Sequence, residues 1–555
     1  MKTSRAVSLT VLAAFCLIPG LYAADEAKKD QPRDWEPIKA SNPPRNRYVT
    51  YQEYIAKGPQ MKVLAATCFG GGDHETCLAA GELPDGTIMA LGNAWGPSFP
   101  AAPAPAVLGQ GRHRGLKPMG MVGKKEQLRP EDPDCAGFIA FYEPGLRGLR
   151  RLVKFDWGVA SFSAARVLAD GKGLILAGRA TEAFRGLKDQ IGTFKTQAGG
   201  GGQYTYEGVQ CPGDVFVLRM TADASKIEWA WVLEGYGVPP YEVWVDDSGA
   251  VYFDCRGLSK VSPEGQNLKV VVAKPTRTGT SKWLFVDPKD GSAYFGGDRN
   301  THTHREPWRQ PFLYKFDSQG QKRWSLWEFP PGDMGADRAG LQSDSSVRAV
   351  ALLPDGDLIV SGWSDGGNSV FQRLAADWKR NAPLGGFGMT PWWPKGANSF
   401  AHIMVLDPKT QQSKSHQWWV GYMPENYNDE AYRNRSNGLS IQEMEVLADG
   451  SLAVAGGAGT GLLQSPGAFW KDPGKGQKYG GSYLSVFNKD RKNLTFSSYL
   501  PGCSVPRLAG TQKGLVAAGG TVGKDTGDPV TPTPAVNALQ PFGGATDGHL
   551  ILLEK

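Results

Sequence analysis

The stretch Leu353–Gly362, LPDGDLIVSG, limits the fold more than any other feature, because the chain repeats it. Leu83–Gly92 reads LPDGTIMALG, Leu168–Gly178 reads LADGKGLILAG, and Leu447–Gly456 reads LADGSLAVAG. Looser copies stand at Asp246–Gly257, DDSGAVYFDCRG, at Asp287–Gly297, DPKDGSAYFGG, and at Gly510–Gly520, GTQKGLVAAGG. In each, apolar residues flank a polar turn that ends in glycine. Asp-Gly supplies the backbone geometry of a tight β-turn, so two strands meet there. The repeats therefore predict seven hairpins, each ending its second strand on glycine.

A second element recurs between the hairpins, again strand, polar turn, strand. Examples are FIAFYEPGLRGLRRLVKFDWG from Phe138, DVFVLRMTADASKIEWAWVLEG from Asp214 and PFLYKFDSQGQKRWSLWEF from Pro311. AHIMVLDPKTQQSKSHQWWVGY from Ala401 and SYLSVFNKDRKNLTFSSYLPG from Ser482 follow the same plan. One unit is thus four strands, with connections of variable length. Gly at 72 and Pro at 39 of 555 residues fit an all-β chain. The best helical periodicity is a short one around Tyr48–Ala56.

Four-stranded units in series make either a closed β-propeller or an open array. The ends of the chain choose between them. FGGATDGHLILLEK at the C-terminus is the first strand of a second element with no strand after it. MKVLAATCFGG from Met61 is the second strand of such an element with none before it. Each half supplies what the other lacks. Strand His549–Leu553 is expected to pair with Lys62–Phe69 and close a seven-bladed ring of four-stranded antiparallel blades, which removes exposed sheet edges.

SPGAFW at Ser465, then YGGSYLSVFNKD and LTFSSYLPG, resembles the bacterial SBBP repeat, a β-propeller repeat of exported proteins. FGGATDGHLILLEK is similar to the middle of that repeat. The resemblance spans Met61–Lys555 and is close over the last quarter. It departs at Phe69-Gly70-Gly71 and Leu500-Pro501-Gly502, where the family pattern has Leu-Gly-Gly. It implies a propeller and export, and no particular reaction.

The N-terminus points to export as well. Lys2 and Arg5 precede an apolar run, Ala6–Leu21, and Leu21-Tyr22-Ala23 offers a cleavage point. Residues 1–23 read as a signal peptide, 24–60 as a linker, and 61–555 as the propeller. Pro19 and Gly20 interrupt the run and make it a poor membrane span. No later stretch approaches the length of a transmembrane helix. Without Lys2 and Arg5 the chain has 59 Lys+Arg against 55 Asp+Glu, a net of +4. These charges are scattered and single out neither nucleic acid nor an anionic membrane as partner. A closed ring needs no second copy, and the chain reads as a secreted or periplasmic monomer. After export six cysteines remain: Cys68, Cys77, Cys135, Cys211, Cys255 and Cys503. An even count in an oxidising compartment predicts disulfides: Cys68 and Cys77 are expected either to pair and clip one loop or to partner nearby half-cystines, and the positions of Cys135 and Cys211 allow a bridge between adjacent blades.

Strand alternation puts the Asp-Gly hairpins on one face and the long connections on the other. Binding residues are therefore expected on the long-loop face. Trp95, Trp308, Trp378, Trp392, Trp393 and Trp470 fall in those loops and suit stacking on sugar faces, or else pin the loops to the scaffold. His74, Asp73, His302 and His304 are the acid–base candidates; His302 and His304 lie two apart in THTHRE, too few for a metal site fixed by spacing. These motifs leave the cofactor unspecified. There is no G-x-S-x-G elbow, no H-E-x-x-H and no C-x-x-C-H, and Gly199–Gly202 opens no helix. Lys315–Trp327 resembles a quinoprotein blade motif but occurs once. Two readings stay open: a scaffold that binds a surface polysaccharide or an exported protein, and a propeller-type polysaccharide lyase or hydrolase acting at the channel mouth.

Overall fold

The computed structural model describes residues 36, 59–71, 74–95, 103–112, 135–168, 170–199, 201–206, 209–276, 279–300, 309–329, 341–366, 369–387, 399–420, 438–459, 462–468, 470, 481–521, 535–540 and 547–555. Among them, seven sheets of four or five strands form the seven blades of a β-propeller. The innermost strands are His74–Glu82, Ala160–Val167, Val243–Val245, Ser281–Val286, Ser345–Leu352, Glu443–Val446 and Arg507–Gly510, for blades one to seven. Each touches its neighbour in turn, and blade seven touches blade one.

The repeated hairpin is explained by two local demands. At the turn, Gly86, Gly356 and Gly450 adopt φ of +82°, +88° and +84°, which disfavours any side chain. The aspartate one residue earlier closes the turn: Asp85, Asp355 and Asp449 accept from the backbone N–H of Thr87, Asp357 and Ser451 at 3.0, 3.1 and 2.9 Å. At the end of the second strand the reason is contact. A Cβ on Gly92, Gly178 or Gly456 would lie 1.8, 1.8 or 1.7 Å from the carbonyl oxygen of Thr76 or Ser161 on the adjacent inner strand, or of Ser440 just before one.

The ring closes as the termini predict. Lys62–Phe69 pairs antiparallel with Gly548–Glu554, which pairs with Gly514–Gly520, so blade seven takes its outer strand from the N-terminal side. Leu550, Ile551, Leu552 and Leu553 are buried, contributing alternately to the clusters against blades one and six. The core consists of such clusters between successive blades, and Trp229, Trp283 and Trp419 lie fully buried in them.

Two expectations need correction. The long insertions do not stay on one face. Parts of three, Ala106–Leu108, Ile191–Ala198 and Leu384–Phe387, run parallel to the outer strands of blades one, two and five as fifth strands. They cover edges that would otherwise be open to pairing. Among the described residues the expected disulfides are also missing. Cys68, Cys77, Cys135, Cys255 and Cys503 are buried and form no disulfide. Their surroundings are other partners: Cys135 faces Asn93 Oδ1 at 3.8 Å and Cys503 faces His549 Nδ1 at 3.4 Å. Burial pushes the thiols of Cys68 and Cys255 up to about 12 and those of Cys77 and Cys503 higher still, so they stay protonated and inert. Only the backbone of Cys211 is described, in the strand Val209–Pro212.

Candidate functional site in the central channel

The inner strands enclose a cavity of about 1130 Å³ along the ring axis. Its described mouth is built from hairpin turns, including Pro84, Asp170, Lys172, Ser248 and Gln512. Deeper in, every blade contributes an inner strand, and several point charges line the wall. In blades one, two, four and five the inner strand carries a bulge, at Leu78, Ser163, Leu284 and Arg348, and all four residues line the cavity. A bulge re-aims one side chain without ending the ladder.

Arg507 organises the charged part. It sits on the inner strand of blade seven. Its Nη1 donates to Glu443 Oε1 on neighbouring blade six at 2.6 Å, and also to Glu242 Oε1, at the entry to the inner strand of blade three. Blades three and seven are not neighbours in the ring, so this second bond crosses the lumen. One guanidinium therefore ties three blades together and holds two carboxylates side by side.

Glu443 is enclosed by protein yet keeps 23 % of its side chain accessible to the channel. Desolvation raises its carboxyl to about 7, the carboxylates of Glu242 and Glu445 add to the rise, and Arg507 and Lys282 oppose it. The carboxyl of Glu445, on the same strand, is raised too by burial, against the attraction of Arg166 and the N–H of Gly510 at 3.3 Å. Arg507 moves up because two carboxylates surround it. The result is a group that exchanges a proton near neutrality beside a fixed cation, which suits acid–base chemistry or a pH-dependent ligand contact. Tyr241, next to Glu242 and also lining the cavity, is 54 % exposed.

The described residues among those singled out in the sequence do not line this cavity. His74 is buried on the inner strand of blade one, opposite Trp95, which is itself buried. Trp470 is half-buried against the cluster between blades five and six, its backbone bonded to Ser498 Oγ. Trp378 packs on the cluster between blades four and five. Asp73, His302, His304, Trp308, Trp392 and Trp393 lie outside the described residues. Among the described residues, no three or more His, Cys, Asp or Glu side chains are placed to hold a metal ion. No described helix is long and apolar enough to cross a membrane.

The channel charges had a signal that composition hides. Aligned on the residue before the terminal glycine of each hairpin, the inner-strand partners are Ala79, Ala164 and Ala349 in blades one, two and five. Blade six places Glu443 at that same position, and blade seven places Arg507 opposite Ala518, two residues before its terminal Gly520. A charge where the repeat has alanine marks a lumen position released from the blade's packing rule.

No family profile and no curated protein sequence matches the chain. Solved structures do. A protein of unknown function from Dyadobacter fermentans is 10 % identical, with 90 % of this chain and 100 % of that chain covered and a TM-score of 0.37. The periplasmic gluconolactonase PpgL of Pseudomonas aeruginosa is 11 % identical, with 78 % and 94 % covered and a TM-score of 0.35. An ulvan lyase of a polysaccharide lyase family is 10 % identical, with 83 % and 93 % covered and a TM-score of 0.37. At these values the likeness leaves function to the residues themselves.

Proposed function

We propose that the chain is an exported propeller of the SBBP type that binds a surface polysaccharide, with one end or loop of the polymer seated in the central channel. The channel carries this reading: about 1130 Å³ is ample for one or two sugar rings, and donors and acceptors reach it from the inner strands. The exposed ring of Tyr241 offers a flat apolar face beside the polar pair Glu242 and Arg507, the combination that a sugar's two chemically distinct sides require. The apolar run Ala6–Leu21 supports export. A monomer with a free channel at each ring is the simplest assembly for such binding.

A second reading is favoured by one observation, the Glu443 carboxyl at about 7 next to Arg507. In a polysaccharide lyase or hydrolase Glu443 would exchange the proton and Arg507 would hold developing negative charge. One experiment separates the two. The mature chain is screened against a glycan panel by thermal shift, and each hit is incubated and assayed for new reducing ends and for unsaturated products. Stabilisation without products supports binding. Products that vanish with Glu443→Gln support the enzyme. No stabilisation by any glycan, together with no product, overturns both.

A further inference from the structure

Most charged groups lining the channel have a protein partner, and the described exceptions are the exposed Asp247 in a turn of blade three and two cations. Glu242 and Glu443 share Arg507. Asp246 is paired with Lys260 at 3.1 Å, and Glu82 accepts the backbone N–H of Gln512. Glu445 has the N–H of Gly510 and the field of Arg166, whose own Nη1 donates to the carbonyl of Val243 at 3.2 Å. Two cavity-lining cations are left over. Lys282 on blade four and Arg348 on blade five stand on adjacent inner strands, and among the described residues neither forms an ion pair.

Their settings differ in a useful way. Lys282 is exposed in the lumen and close enough to Glu443 to act on it. Arg348 is the bulged residue of its strand, partly buried, with its guanidinium 5.4 Å above the ring of Trp363. The acid that acts on it, Asp298, is occupied by the N–H of Thr280 at 3.1 Å, and Arg309 repels it. A half-buried guanidinium with a carboxylate nearby but no direct ion pair loses solvation and recovers only part of it. Its planar fork matches a carboxylate, and a neighbouring ammonium adds a second point of attraction.

We infer that Lys282 and Arg348 form an anion subsite of the channel that receives the carboxylate of an acidic sugar residue. This rests on the reading of the channel as a saccharide site. It adds that the saccharide is a uronate rather than neutral, with its carboxylate toward blades four and five and its hydroxyls toward Arg507, Glu443 and Glu242.

Titration calorimetry on the full mature chain, with digalacturonate, cellobiose and inorganic phosphate as separate probes, tests it. The expected result is that digalacturonate binds, more weakly as salt is raised, and that Lys282→Met with Arg348→Met weakens it roughly tenfold or more. Arg348→Lys alone should recover part of the affinity. Circular dichroism melts of the variants establish that they fold; if the double variant does not, the single Lys282→Met, on an exposed side chain, gives the same comparison. Digalacturonate bound equally by wild type and variant overturns the subsite. So does phosphate binding as tightly as digalacturonate, which would make it a site for a free oxyanion. Cellobiose binding while digalacturonate does not overturns the uronate assignment and leaves the saccharide channel standing. Neither saccharide binding overturns both.

Discussion

His402 Nδ1 lies 3.1 Å from His416 Nε2 inside blade five, and the direction of the proton between them is determined by a third residue. Ser364 Oγ donates to the carbonyl of Gly366 at 2.8 Å, so it accepts from His402 Nε2, also at 2.8 Å. His402 Nδ1 is then the acceptor, and His416 Nε2–H the donor. Both rings are buried, with Phe371 packed against them. The chain Ser364–His402–His416 is a structural network, with two neutral imidazoles.

The neutrality of that pair predicts acid sensitivity. Desolvation lowers His416 to about 3 and His402 well below its ordinary value of 6.5, the neighbouring ring adding to the shift for His402. The unfolded chain therefore binds more protons than the native one below pH 6.5. The contribution to stability is present above pH 6.5 and is lost as pH falls toward 3, at about 1 kcal/mol per pH unit for each ring. Urea melts from pH 7.5 to 4.5 should show this slope. His416→Gln, which retains one hydrogen-bonding amide, should flatten it; an unchanged slope in the variant would disprove the assignment.

Arg507→Met should be costly above neutral pH. It leaves the carboxylates of Glu242 and Glu443 facing each other without their shared cation. Removing one partner from an enclosed ion pair costs about 3–5 kcal/mol when fully buried, and roughly half that here, where Arg507 is 38 % accessible. Denaturant unfolding at pH 8 measures the loss, and Glu242→Gln in the same chain should recover much of it.

The Glu443 carboxyl should titrate near pH 7 in the folded protein. Because the native state holds that proton more tightly than the unfolded one, this group's contribution to stability is complete below about 4.5 and declines as pH rises to 7. Carbon-detected NMR of labelled glutamate should show one resonance moving near neutrality and absent in Glu443→Gln. All glutamate resonances titrating below pH 5.5 would contradict it.

Two glycines separate contact from conformation. Gly456→Ala drives a Cβ into the carbonyl of Ser440 and should lower stability by about 3 kcal/mol or more. Gly356→Ala meets nothing within 4 Å and is strained only by its φ of +88°, a cost of about 1 kcal/mol. Thermal melts of the two variants should rank in that order.

Removing residues 548–555 should unfold or aggregate the protein, while removing residues 25–35 should not. The deleted strand buries Leu550, Ile551, Leu552 and Leu553 and pairs on both sides. Each such side chain is worth about 1.5–3 kcal/mol, which together approaches the whole stability of a typical domain. Equal melting temperatures for the truncation and the full chain would mean that the ring does not depend on its seam.

What the amino-acid order determines by itself is local and periodic. The Asp-Gly turns of Leu83–Gly92 and Leu353–Gly362 specify hairpins through backbone geometry that acts within a few residues. The two unpartnered half-elements at Met61 and His549 specify closure, because each lacks a strand the other has. The tertiary structure decided the rest. Whether Ile191–Ala198 joins a sheet edge depends on which edge the ring leaves open, and that Cys135 meets Asn93 and Cys503 meets His549 depends on packing between distant strands. Arg507 meets Glu242 although they are 265 residues apart, since the number of blades and the radius of the ring bring blade seven opposite blade three. No spacing along the chain encodes that distance; it exists only once seven packed blades have set the width of the channel.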